Sequence, residues 1–190
     1  MKKWLTLVVI LCALSGTAGA QLPPVGYIGL FTDDNRDTWC VNGVGFYQFE
    51  MWVWCLPSDE GMICAEFAIS YPGNVVQSVI TLLPPIIIPE GFEPETGVNV
   101  CFTECQVQWT WAFHQTLFVS DASPSHLEII KHSDPDIEYI RFATCEPGNP
   151  TEPVKKFTNL YINYDPAGSP CTFTATESRS WGAIKNLVER

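Results

Sequence analysis

Glu50 and Glu66 are the carboxylates whose setting could support acid–base chemistry. Each falls inside a strand pattern, and Glu50 alternates onto the same face as Gln48, Trp52 and Trp54. Two acids facing each other across a cleft hydrolyse glycosidic bonds, so a jelly-roll glycoside hydrolase is one reading of the pair. The competing reading is plain: glutamates on the polar face of a strand are mostly solvated. The tryptophans offer a second chemistry. Trp52 and Trp54, and again Trp109 and Trp111, form two W-x-W pairs. Side chains two apart on a strand share a face, and two rings about 7 Å apart along it can stack on successive sugar rings. Trp52, Trp54, Glu50 and Gln48 are therefore the candidate ligand-binding set, with a glycan as ligand. The same spacing turned inward builds a core instead, and that is the expectation for Trp109 and Trp111.

Metal chemistry has one opening. Asp33, Asn35 and Asp37 place oxygen side chains at alternating loop positions, as the start of a calcium loop does. The pattern then departs from an EF-hand, with Thr38 where the glycine belongs and Val44 where the glutamate belongs. Acidic loops also serve simply to keep a negative protein soluble. Calcium is thus a possible ligand, and no other cofactor is expected. Cys101 and Cys105 have C-x3-C spacing, and His114, His126 and His132 are scattered, so a disulfide is favoured over zinc. No G-x-S-x-G elbow, H-E-x-x-H helix, Walker loop or dinucleotide fingerprint occurs.

The compartment follows from the first 20 residues. Lys2 and Lys3 precede the apolar run Trp4 to Leu14, and Ala18-Gly19-Ala20 supplies a cleavage site. This is the plan of a secretory signal peptide, and the run is too short for a membrane helix. Residues 21–176 then form the domain, and 177–190 a tail. Exported cysteines meet oxidising conditions. Cys40, Cys64, Cys101, Cys105, Cys145 and Cys171 are the disulfide candidates, with pairing left open. Cys55 ends a long apolar strand pattern, where a thiol acts as a small hydrophobe, and is the candidate for the odd one.

Composition narrows the partners. The 190 residues carry 10 Lys and Arg against 21 Asp and Glu, for a formal net charge of -11. Two of the lysines leave with the leader. Such a chain lacks the cationic surface that nucleic acids require. No later stretch could span a membrane as a helix, since Leu82 to Pro89 is short and holds three prolines.

The elements that must position these groups read as strands. Val25–Phe31, Gly45–Leu56, Met62–Ser70, Val75–Leu83, Cys105–Ser120, Leu127–Lys131, Glu138–Thr144 and Phe157–Asn163 carry the pattern, separated by Gly, Pro and Asp turns. Within Gly45–Leu56, Tyr47, Phe49, Met51, Val53 and Cys55 face the core. Within Cys105–Ser120, Val107, Trp109, Trp111, Phe113 and Leu117 fall on one side, with a bulge or bend near His114-Gln115 expected from the length. The fold class is an all-β sandwich, immunoglobulin-like or jelly-roll, of about nine strands. In the tail, Trp181, Ile184, Leu187 and Val188 lie on one face of a short amphipathic helix capped by Ser180.

Three segments carry a resemblance: Gly26-Tyr27-Ile28-Gly29-Leu30-Phe31, Met62-Ile63-Cys64-Ala65-Glu66-Phe67 and Ser180-Trp181-Gly182-Ala183-Ile184-Lys185. Together they resemble a loose group of uncharacterised secreted bacterial proteins of similar length. The resemblance implies export and a β-sandwich, and it brings no activity and no site residue. The resulting expectation is a secreted or periplasmic, non-enzymatic sandwich acting by surface contact with a protein or glycan at the cell envelope. Adhesion, envelope matrix and assembly are the roles it covers. A carbohydrate-binding module is the alternative.

Overall fold

A computed structural model describes residues 26–43, 45–82, 86–87 and 92–164. These hold thirteen strands and no helix: β1 (Tyr27–Phe31), β2 (Cys40–Val41), β3 (Tyr47–Leu56), β4 (Met62–Ser70), β5 (Val75–Leu82), β6 (Ile86–Ile87), β7 (Val98–Gln106), β8 (Thr110–Val119), β9 (Ser125–Ile130), β10 (Arg141–Ala143), β11 (Thr151–Pro153), β12 (Lys156–Thr158) and β13 (Leu160–Ile162). The leader, Cys171 and the tail helix expected from the sequence lie outside the described residues.

Two sheets form. One runs β12-β1-β3-β8-β5, and the other runs β11-β10-β4-β9-β13-β2, with β7 also on β4 and β6 on β7. The long strands pair antiparallel, while β12 joins β1 and β13 joins β2 in parallel. Each long strand has one buried side because its residues alternate. Tyr47, Phe49, Met51, Val53 and Cys55 of β3 are buried, as are Ala65, Phe67 and Ile69 of β4. They meet Ile28, Leu30, Phe113, Leu117, Leu127, Phe142, Leu160 and Ile162 in one apolar cluster between the sheets. Each such side chain contributes about 1.5–3 kcal/mol on burial.

The chain departs from the expected strands at several places. Most of the nine-residue β7 and the short β2, β6 and β11 fall where no strand was expected, and β10 covers only Arg141–Ala143 of the expected Glu138–Thr144. Two expected strands are also split. The segment read as one strand from Cys105 to Ser120 is divided, and the reason is local. Thr110 Oγ1 lies within hydrogen-bond distance of Gln106 Oε1 at 3.0 Å and Gln108 O at 3.1 Å, and Gln106 Nε2 donates to Glu104 O, which holds a bend at Gln108. Likewise, Phe157–Asn163 splits at Asn159 into β12 and β13, which belong to different sheets. Asn159 uses its side-chain oxygen to accept the Ile129 N–H at 3.2 Å, tying the crossover to β9.

Disulfides join the second sheet. Cys64 and Cys101 are directly opposite on β4 and β7 and are bonded, and Cys105 bonds Cys145. Cys40 is also disulfide-bonded. Cys55 is a buried free thiol, and burial pushes its pKa up to about 12. Gly61 packs against the second bridge. Its φ is +72°, and a Cβ there would lie 2.6 Å from Cys105 Sγ and 2.9 Å from Cys145 Sγ. Among the buried polar residues, Gln115 is the most enclosed. Gln115 of β8 is fully buried, accepting from the Tyr71 hydroxyl at 2.7 Å and donating to Gln77 Oε1 at 3.1 Å. With both ends of its amide used, it meets the requirement that buried polar groups be paired.

Candidate functional site: the outer face of the five-stranded sheet

The site begins with a bulge. Between β3 and β8 the register runs Val53↔Phe113 and then Trp54↔Trp111, so Ala112 is the extra residue. A bulge residue reverses which side chains point inward. Beyond it Phe113, Gln115, Leu117 and Val119 are buried, whereas before it Thr110 and Ala112 are. Trp111 is therefore turned outward, opposite Trp54. The sequence placed Trp109 and Trp111 in the core and the irregularity near His114-Gln115. The first expectation is corrected here, since the two tryptophans lie on the outer side. Besides the bulge at Ala112, a second register shift falls between Gln77 and Ile80 of β5, opposite Leu117 and Gln115 of β8, where the irregularity was expected.

Three rings gather around the middle of the strand pair. His114 stacks on Trp52 with centroids 4.4 Å apart and planes at 17°. Trp111 meets Trp52 edge-on at 5.4 Å and His114 at 5.7 Å. A second group forms beside them. Arg36 places its guanidinium carbon 4.4 Å from the Trp54 ring centroid and 5.1 Å from that of Trp109. Trp109 in turn meets Tyr27 edge-on at 5.4 Å, and the Tyr27 hydroxyl donates to Thr158. Burial raises the Tyr27 pKa, and that hydrogen bond offsets part of the shift. Trp52, Trp109, Trp111 and His114 stay half-buried, whereas Trp54 is only 9 % exposed under Arg36. Further along the same face, Phe46 stacks on Phe118 at 5.9 Å, and Val76, opposite Phe118 on β5, is exposed.

Of the candidate ligand-binding residues, Gln48, Glu50, Trp52 and Trp54 all lie on this face of β3, between the buried residues of the alternation. Glu50 is exposed opposite Thr116, and Gln48 is half-buried opposite Phe118. Trp52 and Trp54 do not form a pair of open rings, because Arg36 covers one and His114 covers a face of the other. Glu66 is elsewhere. It alternates with buried Ala65 and Phe67, so it points from the outer side of the other sheet, where Arg141 and Asn99 hold it. Glu50 and Glu66 thus sit on opposite outer faces and do not confront each other across one cleft.

The Arg36 loop contains the calcium candidates. Asp33 Oδ1 accepts the backbone N–H groups of Asn35 at 2.9 Å and Asp37 at 3.1 Å, and Thr32 N bonds Thr38 O at 2.8 Å. The Asn35 and Asp37 side chains are exposed. Among the described residues no three His, Cys, Asp or Glu side chains converge as a metal site would require. Arg36 itself was not singled out by the sequence. Its only local sign was a cation set among four loop residues rich in Asp and Asn.

No protein-family model matches the chain, and no curated protein matches it. Solved structures do. A non-cellulosomal cohesin from the hyperthermophilic archaeon Archaeoglobus fulgidus superimposes with a TM-score of 0.52 at 9 % identity, covering 73 % of this chain and 91 % of its own. The sixth cohesin of scaffoldin B from Acetivibrio cellulolyticus, solved with a dockerin, gives 0.49 at 13 % identity over 74 % of this chain and 99 % of its own. The seventh ScaB type I cohesin from Pseudobacteroides cellulosolvens gives 0.48 at 10 % over 82 % and 95 %. At such identities the archaeal likeness is one of fold: this chain is an all-β sandwich of the cohesin shape.

Proposed function

We propose that the protein is an exported, non-enzymatic sandwich module that works by surface contact in adhesion, envelope matrix or assembly. Its contact surface is the outer face of the five-stranded sheet. One observation carries the reading: the indoles of Trp52, Trp109 and Trp111 lie on that outer side, half-buried, rather than in the core. Apolar surface grouped on a solvent face marks an interaction site, and Trp, Tyr and Arg dominate the energetic centres of interfaces. The disulfides support export, since they persist in oxidising compartments. The likeness in fold to a non-cellulosomal cohesin supports a non-enzymatic module of this kind. Cross-linking in the source cell envelope followed by affinity capture tests this. Capture should be lost in Trp52→Ser/Trp111→Ser and kept in Glu66→Gln on the opposite face. Equal capture by both variants, or a monomer that retains nothing, sinks it.

A glycan partner is the second reading, favoured by the exposed Glu50 and half-buried Gln48 beside Trp52. Affinity electrophoresis against a polysaccharide panel separates it from the first. Retardation abolished by Trp52→Ala supports a carbohydrate-binding module, and no retardation removes it.

A further inference from the structure

Among the described residues no acceptor engages the Arg36 guanidinium, which makes two ring contacts and no hydrogen bond or ion pair. This is so although Asp33, Asp34 and Asp37 share its loop. Asp33 has turned one carboxylate oxygen to the backbone N–H groups of residues 35 and 37. Arg36 also has φ +68°, a conformation that bulky residues rarely adopt. The loop thus holds a cation over two indoles in a strained backbone state and leaves its donor fork without an acceptor. Strain of this kind concentrates at binding sites. A second, independent observation lies on the same ring. Trp54 is nine-tenths buried, and its indole Nε1 has no acceptor. A buried indole N–H ordinarily finds one.

We propose that Arg36, backed by Trp54 and Trp109, is the receptor for a single carboxylate carried by a partner protein. The inference rests on the surface-contact reading and names the anchor of that contact. The guanidinium fork matches a carboxylate with two parallel hydrogen bonds, and its contacts with the two indoles hold it in position before the partner arrives. Preorganisation of this sort lowers the ordering cost of binding. The surroundings choose the source. Exposed Asp34 and Asp37 flank the arginine, and the chain is strongly negative. That field repels a phosphate or a polyuronate chain more than one Asp or Glu side chain on an otherwise basic partner surface.

The test titrates the full mature chain with N-acetylglutamate amide, polygalacturonate or chloride at matched ionic strength, reading the Arg36 Nε–H and Trp54 Nε1–H resonances. The glutamate compound should move both saturably and chloride should not. Arg36→Gln should abolish the shifts, and Arg36→Lys, which keeps the cation but lacks the fork, should weaken binding roughly tenfold. Should Arg36→Gln fail to fold, Arg36→Lys carries the comparison. No shift, shifts matched by chloride, or shifts that survive Arg36→Gln overturn the proposal. A response to polygalacturonate alone overturns the protein source. The two readings fail separately. If Trp52→Ser/Trp111→Ser leaves partner capture intact, the contact reading falls while the titration stands. If the titration is silent while capture still needs Trp52, only the receptor falls.

Discussion

The Arg36 guanidinium lies 4.4 Å from the centre of the Trp54 ring, eighteen positions later in the chain, and that contact leaves the indole 9 % exposed. A cation over a partly desolvated indole is worth about 1–2 kcal/mol. Arg36→Ala should lower stability by about that much and shift tryptophan emission to the red as Trp54 meets water. Urea unfolding with fluorescence detection measures both. An unchanged emission maximum would show that something other than Arg36 covers the ring.

Gly61 couples backbone conformation to a disulfide. Alanine there must hold φ +72° and place its methyl inside the contact distance of both Cys105 and Cys145 sulfurs. The expected cost is about 1–3 kcal/mol. It should appear as a lower urea midpoint and as a larger fraction of unpaired Cys105 and Cys145 in non-reducing peptide maps. An identical midpoint would contradict the close packing.

The buried Gln115 amide links Tyr71 to Gln77. Gln115→Leu removes the acceptor of the hydroxyl of Tyr71, which packs half-buried against the core and whose pKa burial already raises. Leaving a buried donor without a partner costs about 1–3 kcal/mol, so the variant should be destabilised despite its more apolar side chain. Adding Tyr71→Phe removes the stranded hydroxyl and should recover part of the loss. A double-mutant cycle without such recovery counts against the network.

Cys55 should resist alkylation in the folded protein and react fully in denaturant, while Cys40, Cys64, Cys101, Cys105 and Cys145 react only after reduction. Its pKa also predicts an alkaline limit. Burial raises it from 9.0 to about 12, so between those values the folded thiol keeps a proton that the unfolded one has lost. The contribution is intact below about pH 9 and falls as pH rises toward 12, at no more than about 1.4 kcal/mol per pH unit. Buried Tyr47, raised from 10.0 to about 12, adds loss in the upper part of the same window. Cys55→Ala should melt less steeply with pH between 9 and 10 than the parent. Parallel slopes would rule the thiol out.

What could be read without the structure was whatever depends on neighbours along the chain. The inward set of β3, from Tyr47 to Cys55, follows from period-two alternation in a sheet buried on one side, and the two-layer all-β class follows from many such runs between turns. Glu50, Gln48 and Trp52 were placed on one face by the same rule. Trp111 was not, because one extra residue at Ala112 reverses the alternation, and nothing in the local composition marks which residue will be squeezed out of register.

Cysteine number, acidic charge, most strand-forming segments and the faces within each uninterrupted run are legible along the chain. It takes the folded arrangement to bring Cys64 to Cys101, to set Glu50 and Glu66 on opposite sides, and to close Arg36, Trp54 and Trp109 on one another. The difference is one of range. Alternation is enforced by each residue's own backbone, whereas these meetings depend on strand register and on which segments the buried core brings side by side.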